Sequence, residues 1–149
     1  MILTKRHSPE QIAVGIDGSL DSHAAVRWAI DHARPGDTVT LAHVWRPSPS
    51  TVDASLAYPS DETAARRFAN HELVRAAALP RDDEVTLRCE IVRGDAQHCL
   101  AKHQADLLVV GARGHNHLTS ILLGSVSAHL ARHCPIPLVI VPRRRQAAQ

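Results

Sequence analysis

Five short apolar runs alternate with amphipathic helical patterns along almost the whole chain, and this alternation limits the fold more than any other feature. The runs cover residues 12–16, 39–45, 85–92, 107–110 and 138–141. Each is rich in β-branched residues or leucine and is bounded by Gly, Pro or Asp, as strands usually are. The first, fourth and fifth runs show little alternation of apolar and polar residues, which is typical of strands covered on both faces of a parallel sheet.

Helical spacing fills the four gaps between these runs. The apolar stripes at i, i+3, i+4 and i+7 spacing are Ala25-Trp28-Ala29-His32, Ala65-Phe68-Ala69-Leu73-Ala76, Ala96-Cys99-Leu100-His103 and Val126-His129-Leu130-His133. The resulting order β-α-β-α-β-α-β-α-β predicts an α/β protein with a five-stranded parallel sheet and helices on both faces. We expect the doubly wound, Rossmann-like strand order 3-2-1-4-5, in which ligands bind where the order reverses.

The 149 residues suit a single domain, with a core over about residues 10–142 and a basic tail over 143–149. The net charge of +2 and the 3% aromatic content argue against nucleic acid as a partner, because no broad basic stripe or stacking platform is present. The three cysteines are odd in number and form no CxxC, which favours a reducing compartment. With neither a signal peptide nor a membrane helix in the sequence, we expect a cytoplasmic protein.

The strongest motif follows the fourth run, where residues 111–125 have the spacing G-x2-G-x9-G-S. Glycines at Gly111 and Gly114 would let the backbone approach a bulky anion without a Cβ in the way. Gly124 and Ser125 stand at the start of the fourth helix, where unpaired N–H groups and the positive helix end favour phosphate. Ser125 could cap that helix or donate its hydroxyl to a phosphate oxygen. A tight turn followed by an ordinary capped helix would explain the same residues without a ligand.

A second signal ends the first run, where Asp17 follows Gly15 and Ile16 and precedes Gly18 and Ser19. A lone Asp after a strand is commonly a helix cap or turn residue. In the expected strand order, however, the first and fourth strands flank the reversal point, so Asp17 would share a crevice with the glycine motif. Since a carboxylate repels phosphate, we expect Asp17 to face the ribose or base of a nucleotide.

Together with His43-Val44 at the end of the second run and the closing sequence CPIPLVIV, these motifs resemble the universal stress protein family over about residues 10–142. The long glycine motif resembles the ATP-binding branch of that family. The resemblance implies that Asp17 and Val44 contact adenosine, that the glycine motif surrounds the phosphates, and that the protein is a dimer. The residues expected to bind ATP are Gly15, Asp17, Val44, Gly111, Arg113, Gly114, Gly124, Ser125, Val126 and Ser127.

We expect a nucleotide-dependent regulator of the stress response, with slow hydrolysis or none. The glycine motif contains neither an acidic residue nor a lysine, so Mg²⁺ would be held mainly by the phosphates and a serine hydroxyl. One alternative is a weak ATPase or adenylating enzyme, since residues 17–22 distantly resemble the SGGxDS pyrophosphate loop. Another is a nucleotide-free, dimeric interaction module of the same fold. A Walker A loop is absent from the sequence.

Two groups of histidines need a separate interpretation. His115 and His117 fall between the glycines of the motif, where they could add positive charge near terminal phosphates or simply be solvated. His129 and His133 have the i, i+4 spacing of zinc ligands, and Cys134 follows them. For this pair, helix packing or solvent exposure is the preferred interpretation.

The sequence also predicts roles for two further segments, the fifth apolar run and the stretch after the second. The fifth run, between Pro137 and Pro142, is wholly apolar and would form a sheet edge, so pairing with a second copy of the chain would cover it. The arginine tail or a loop could cover the same edge instead. Residues 46–59 are rich in Pro, Ser and Ala and would form a lid or interaction loop, or a disordered connection.

Overall fold

The computed structural model describes residues 8–47, 61–114 and 123–143 of the chain. The strands are β1 (Gln11–Gly15), β2 (Thr38–Trp45), β3 (Thr86–Arg93), β4 (Leu107–Gly111) and β5 (Leu138–Val141), and the helices are α1 (Leu20–His32), α2 (Glu62–Ala77), α3 (Ala96–Ala101) and α4 (Ser125–His133). Each predicted strand is confirmed to within one residue at either end. Of the predicted irregular segment 46–59, only Arg46 and Pro47 lie within the described residues, and His115 and His117 lie outside them.

All five strands are parallel and belong to one sheet of order β3-β2-β1-β4-β5, which confirms the predicted fold class. The sheet order reverses between β1 and β4, the two central strands. The middle residues of both central strands are buried, whereas the four residues of β5 at the edge are only half-buried. Similarly apolar strands are thus fully buried in the centre of the sheet and only half-buried at its edge.

The two faces of the sheet carry separate hydrophobic cores because successive strand residues point to opposite sides. Ile12 and Val14 of β1 pack in the core beneath α1 and α2. Ala13, between them, belongs to the opposite core, which Leu100 of α3 and Leu130 of α4 complete. The described part of the chain therefore has two helices on each face of the sheet, and α3 and α4 lie together on the same face.

The third predicted helix is two residues too long. Its stripe predicted helix as far as His103, but α3 ends at Ala101 and Lys102 forms the C-cap, with its N–H pointing to the carbonyls of His98 and Leu100. His103 instead turns inward so that its Nε2 pairs with the carboxylate of Glu90 on β3. A side chain contact with the sheet therefore overrides the helical periodicity at this position.

The three cysteines are free, half-buried thiols. Among the helices in the described ranges, none combines the length and apolar character needed to cross a lipid bilayer.

Candidate functional site

A cavity of about 250 Å³ opens at the carboxyl ends of the central strands, between α3 and α4. All ten residues that the sequence predicted to bind nucleotide line it. It therefore lies where the strand order reverses, which is the usual ligand position in open α/β sheets. Sequence reasoning missed six further lining residues: Ile16, Ser22, Ala42, Ala96, Leu100 and Val110. Most of these are small or aliphatic positions of strands and helices, and no motif distinguishes them from ordinary core residues.

Gly111, at the end of β4, is in close contact with the first turn of α1. A Cβ added at Gly111 would lie 2.6–2.8 Å from the backbone carbonyl group and the Cβ of Asp21. Neither neighbour can swing aside as a flexible side chain end would, so any larger residue would push α1 away from the sheet. The sequence interpretation assigned this glycine to anion approach, but the structure gives it a different reason, which is helix–strand packing.

Asp21 does not line the cavity, but it supports the loop that does, and sequence reasoning missed this role. Its side chain is buried, and its Oδ2 accepts a hydrogen bond of 3.0 Å from the backbone N–H of Arg113. The contact joins α1 to the loop that follows β4, and thus to the first half of the glycine motif. An acidic residue in the first turn of a helix is ordinarily explained by its favourable interaction with the helix dipole. The sequence therefore gave no sign of this long-range contact.

Gly114 lies against Asp17, the one acidic residue among the described residues that line the cavity. A Cβ at Gly114 would be 2.8 Å from Oδ2 of Asp17, while Oδ1 of Asp17 accepts a hydrogen bond of 2.9 Å from the N–H of Ser19. The residue expected on the adenosine side and a glycine expected on the phosphate side are therefore direct neighbours. The cavity places a carboxylate, and not only hydrogen-bond donors, beside the motif.

Helix α4 begins at Ser125, and its N-cap is Gly124, which provides no side chain cap. The expectation that Ser125 itself caps the helix is therefore wrong, because Ser125 already occupies the first helical position. The described N-termini of α1, α2 and α3 are capped by side chains, namely Ser19, Asp61 and Asp95. The first turn of α4 thus faces the cavity, and no described side chain caps its N–H groups.

The carbonyl of Ala112 connects the two halves of the motif. It accepts hydrogen bonds of 2.6 Å from the N–H of Gly124 and 2.7 Å from the hydroxyl of Ser127, and that serine is buried. The hydroxyl of Ser127 is thus engaged with the backbone, whereas the side chain of Ser125 is exposed at the cavity. Of the two serines, Ser125 is therefore the better placed to meet a ligand.

His43, near the end of β2, lies on the opposite face of the sheet from the cavity and packs on Phe68, with 4.4 Å between ring centroids. Its Nδ1 donates to the carbonyl of Ile16, at 3.3 Å. Burial lowers the pKa of His43 from its ordinary value of 6.5, and the Ile16 contact and the charges of Asp17 and Glu72 offset this only in part. The ring is therefore a neutral core group that supports the segment leading to Asp17.

His129 and His133 lie on α4, and neither lines the cavity. Their rings contact each other, with 4.6 Å between centroids. His133 is exposed and His129 is half-buried.

Comparison with known proteins identifies the family. The model of the universal stress protein family matches residues 9–142. A universal stress protein of Mycolicibacterium smegmatis is 34% identical over 147 residues, which cover 92% of this chain and 49% of that protein. The chain spans about half the length of the curated relatives it matches.

Two solved structures share the fold. A universal stress protein in complex with cAMP has a TM-score of 0.63 at 24% identity, over 93% of this chain and 100% of that one. A universal stress protein family protein from Arabidopsis thaliana with AMP bound has a TM-score of 0.60 at 18% identity, over 91% of this chain and 93% of that one. Since the family model matches nearly the whole chain, the chain belongs to the universal stress protein family.

Proposed function

We propose that the chain binds an adenine nucleotide in the cavity between α3 and α4, that ATP is its ligand, and that binding regulates a stress response with slow hydrolysis or none. The observation that carries this proposal is that one cavity combines an apolar wall with the first turn of a helix whose N-cap residue, Gly124, has no side chain to cap it. The apolar wall suits a base, and the helix N-terminus suits phosphate. Relatives of the same fold with cAMP or AMP bound support the class of ligand.

The apolar wall of the proposed site comes from both the sheet and α3. Ala42, Val44 and Val110 contribute from strand ends, and Leu100 contributes from α3. A planar base would be held there mainly by burial of apolar surface. Arg113 lines the cavity beside the glycines and supplies the positive charge that a phosphate chain requires.

A magnesium ion would fit the oxygen donors of this cavity. Mg²⁺ prefers oxygen ligands and usually binds through phosphates together with one or two carboxylates. The carboxylate of Asp17 and the hydroxyl of Ser125 are the side chain oxygens that would complete such a shell. When bound, the ion would neutralise charge on the phosphates, which would also reduce the repulsion between them and Asp17.

The regulatory part of the proposal depends on how little catalytic machinery surrounds the phosphate position. In the described part of the chain, the cavity lining contains no lysine or histidine, and its one carboxylate, that of Asp17, is the group that would complete the magnesium shell. A general base would need a free acceptor within hydrogen-bond reach of the attacking water. The bound nucleotide would therefore act mainly by fixing the conformation of the loops and of a homodimer.

Calorimetric titration with ATP and Mg²⁺, and with AMP and cAMP in parallel, tests the proposal after mass spectrometry has shown the protein free of nucleotide. We expect saturation near one nucleotide per chain. The substitution Gly114→Val should abolish binding, because its side chain would occupy the space against Asp17 and the phosphate approach. Ala77→Val, at an exposed position of α2, is the matched control and should bind normally.

Two outcomes would contradict parts of the proposal. Folded, empty protein that binds none of the three nucleotides at millimolar concentration would mean that the chain is an interaction module of the same fold. Binding followed by steady multiple turnover of ATP would identify a weak ATPase instead of a regulator.

A further inference from the structure

Three histidine rings from two helices lie side by side outside the cavity. The rings of His98 on α3 and His129 on α4 have centroids 5.4 Å apart, and those of His129 and His133 are 4.6 Å apart. We call His98, His129 and His133 the histidine cluster. The sequence showed only the pair on α4, and packing of α3 against α4 brings the third ring to it.

The imidazole groups of the histidine cluster and the distances between their rings both suit a transition-metal ion. Imidazole nitrogen is a preferred ligand of Zn²⁺, at about 2.0–2.1 Å. Two imidazoles that bind one zinc ion at a tetrahedral angle have ring centroids roughly 5 Å apart, given that bond length. The two centroid distances in the cluster, 5.4 and 4.6 Å, are close to that separation.

Asp95 provides the outer contact that metal-binding histidines commonly have. Its Oδ1 lies 3.5 Å from Nδ1 of His98, and its backbone position is fixed because it caps α3. A carboxylate that engages Nδ1 orients the ring and leaves Nε2 as the metal ligand. Asp95 is therefore close enough to the Nδ1 side of the His98 ring to hold it, which would leave Nε2 for the metal.

Side chain rotation is required before an ion can bind. In the described ranges, no group of three or more histidine, cysteine or acidic side chains could hold a metal ion in the positions that the side chains now have. The side chain of His98 is 67% exposed and His133 is also exposed, so both rings have room to rotate. His129, which is half-buried between them, is the fixed member of the cluster.

We propose that the histidine cluster binds one divalent transition-metal ion, Zn²⁺ in the first instance, and that the ion joins α3 to α4. Ala96 and Leu100 of α3 and Ser125 to Ser127 of α4 also line the cavity, so the ion would fix the distance between two of its walls. The metal site itself does not depend on the proposed nucleotide function. It adds a second, independent ligand to the same face of the sheet.

Titration of tag-free protein with Zn²⁺, followed by calorimetry, and with Co²⁺, followed by its visible absorption, tests the site. We expect one equivalent to bind, and the thermal midpoint to rise with Zn²⁺ concentration because the ion binds the native state. His98→Gln should weaken binding by roughly tenfold or more, and the double variant His129→Gln/His133→Gln should abolish it. His71→Gln, an exposed histidine on α2, is the matched control and should bind as wild type does.

Protons should compete with the metal, because only neutral imidazole binds it. Affinity for Zn²⁺ should therefore be lower in acidic solution than near neutral pH. Wild-type affinity in the double variant, with its fold verified by circular dichroism, would overturn the proposal and place the metal at other histidines or thiols. Absence of binding by wild-type protein up to about 1 mM Zn²⁺ at pH 7.5 would overturn it as well.

Discussion

Gly111 and Gly124 belong to the same motif, but at the scale of single residues they are glycine for different reasons. A Cβ at Gly111 would lie 2.6 Å from the carbonyl carbon of Asp21, so α1 would have to shift. We expect Gly111→Ala to lower the free energy of unfolding by about 1–3 kcal/mol, the usual cost of overpacking. Urea denaturation followed by circular dichroism measures this loss.

Gly124, unlike Gly111, has room for a side chain. A Cβ there would have no described neighbour closer than 3.4 Å, and its φ of −74° is open to any residue. Because serine is a favoured N-cap, Gly124→Ser should change the free energy of unfolding by no more than about 0.5 kcal/mol. Equal destabilisation by the two substitutions would show that the contact between β4 and α1 does not explain Gly111.

His43 should make stability depend on pH. Its Nε2 is buried and has no hydrogen-bond partner within the described structure, and burial lowers its pKa in the folded protein below 6.5. The unfolded chain therefore binds the proton more readily, and stability is lost as the pH falls through about 6.5 toward the folded pKa, with a slope of at most about 1.4 kcal/mol per pH unit. We expect wild-type protein to lose more stability than His43→Gln between pH 7.5 and 5.5.

Urea denaturation of both proteins at the two pH values measures this difference. An NMR titration of the His43 ring in the wild type tests the cause directly, since its midpoint should lie below the ordinary value of 6.5. Parallel loss of stability in wild type and variant would mean that other histidines account for the pH dependence.

The residues that the sequence predicted to bind nucleotide line one cavity because most of them stand next to strand ends, where the parallel topology itself brings them together. The sequence could not predict Asp21, since a contact between residues 21 and 113 depends on how closely α1 packs on β4. For the same reason it assigned Gly111 to ligand approach. Glycine indicates a close contact, but the sequence does not say whether the contact is with a ligand or with another part of the chain.

At the scale of elements, the first turn of α4 is the proposed phosphate position, and a negative charge introduced there tests that proposal. Ser125 occupies the first helical position and lines the cavity. A carboxylate there would favour the helix dipole by about 0.3–1 kcal/mol but would repel a phosphate group. Ser125→Glu should therefore weaken ATP binding at least tenfold, a loss of about 1.4 kcal/mol, without lowering the free energy of unfolding. Calorimetry and urea denaturation of the same preparation separate the two effects.

Ser125→Gln is the matched control, because it adds nearly the same volume without the charge. It should lose affinity by no more than the single hydroxyl contributes, about 0.5–3 kcal/mol according to whether that hydroxyl meets a charged phosphate. Equal affinity for ATP in the Glu and Gln variants would show that no phosphate lies at the start of α4.

The ends of the strands could be predicted from the sequence, because burial alone determines where a strand begins and ends. Each strand is confirmed to within one residue, since apolar runs and flanking turn residues mark the strand ends. The end of α3 could not be predicted, because His103 leaves the helix to pair with Glu90 on the preceding strand, a contact that helical spacing does not show. The N-cap of α4 could not be predicted either. Serine is a commoner N-cap than glycine, and a glycine has no side chain to indicate that it caps a helix.

At the scale of the whole molecule, β5 is an edge strand, and no described strand pairs with its outer side. The carbonyls of Pro137 and Val141 accept hydrogen bonds of 3.0 and 2.9 Å from Leu108 and Ala112, so both point toward β4. Because backbone groups alternate in direction along a strand, those of Leu138 and Ile140 point to the outer side. The sequence predicted this edge from its apolar character, and the half-burial of all four strand residues agrees with a surface that is not fully covered.

We propose that a second copy of the chain pairs with this edge, since an uncharged, apolar edge strand is prone to associate. Ile140→Pro should give a monomer, because it removes the outward N–H of Ile140 at a position where proline leaves the bonds to β4 intact. Ile140→Ala loses the same side chain contacts but keeps the N–H, so it should remain a dimer and serves as the matched control. Sedimentation velocity of the three proteins at micromolar concentration measures this. A monomeric wild type, or a proline variant that still dimerises, would mean that the two chains do not associate through β5.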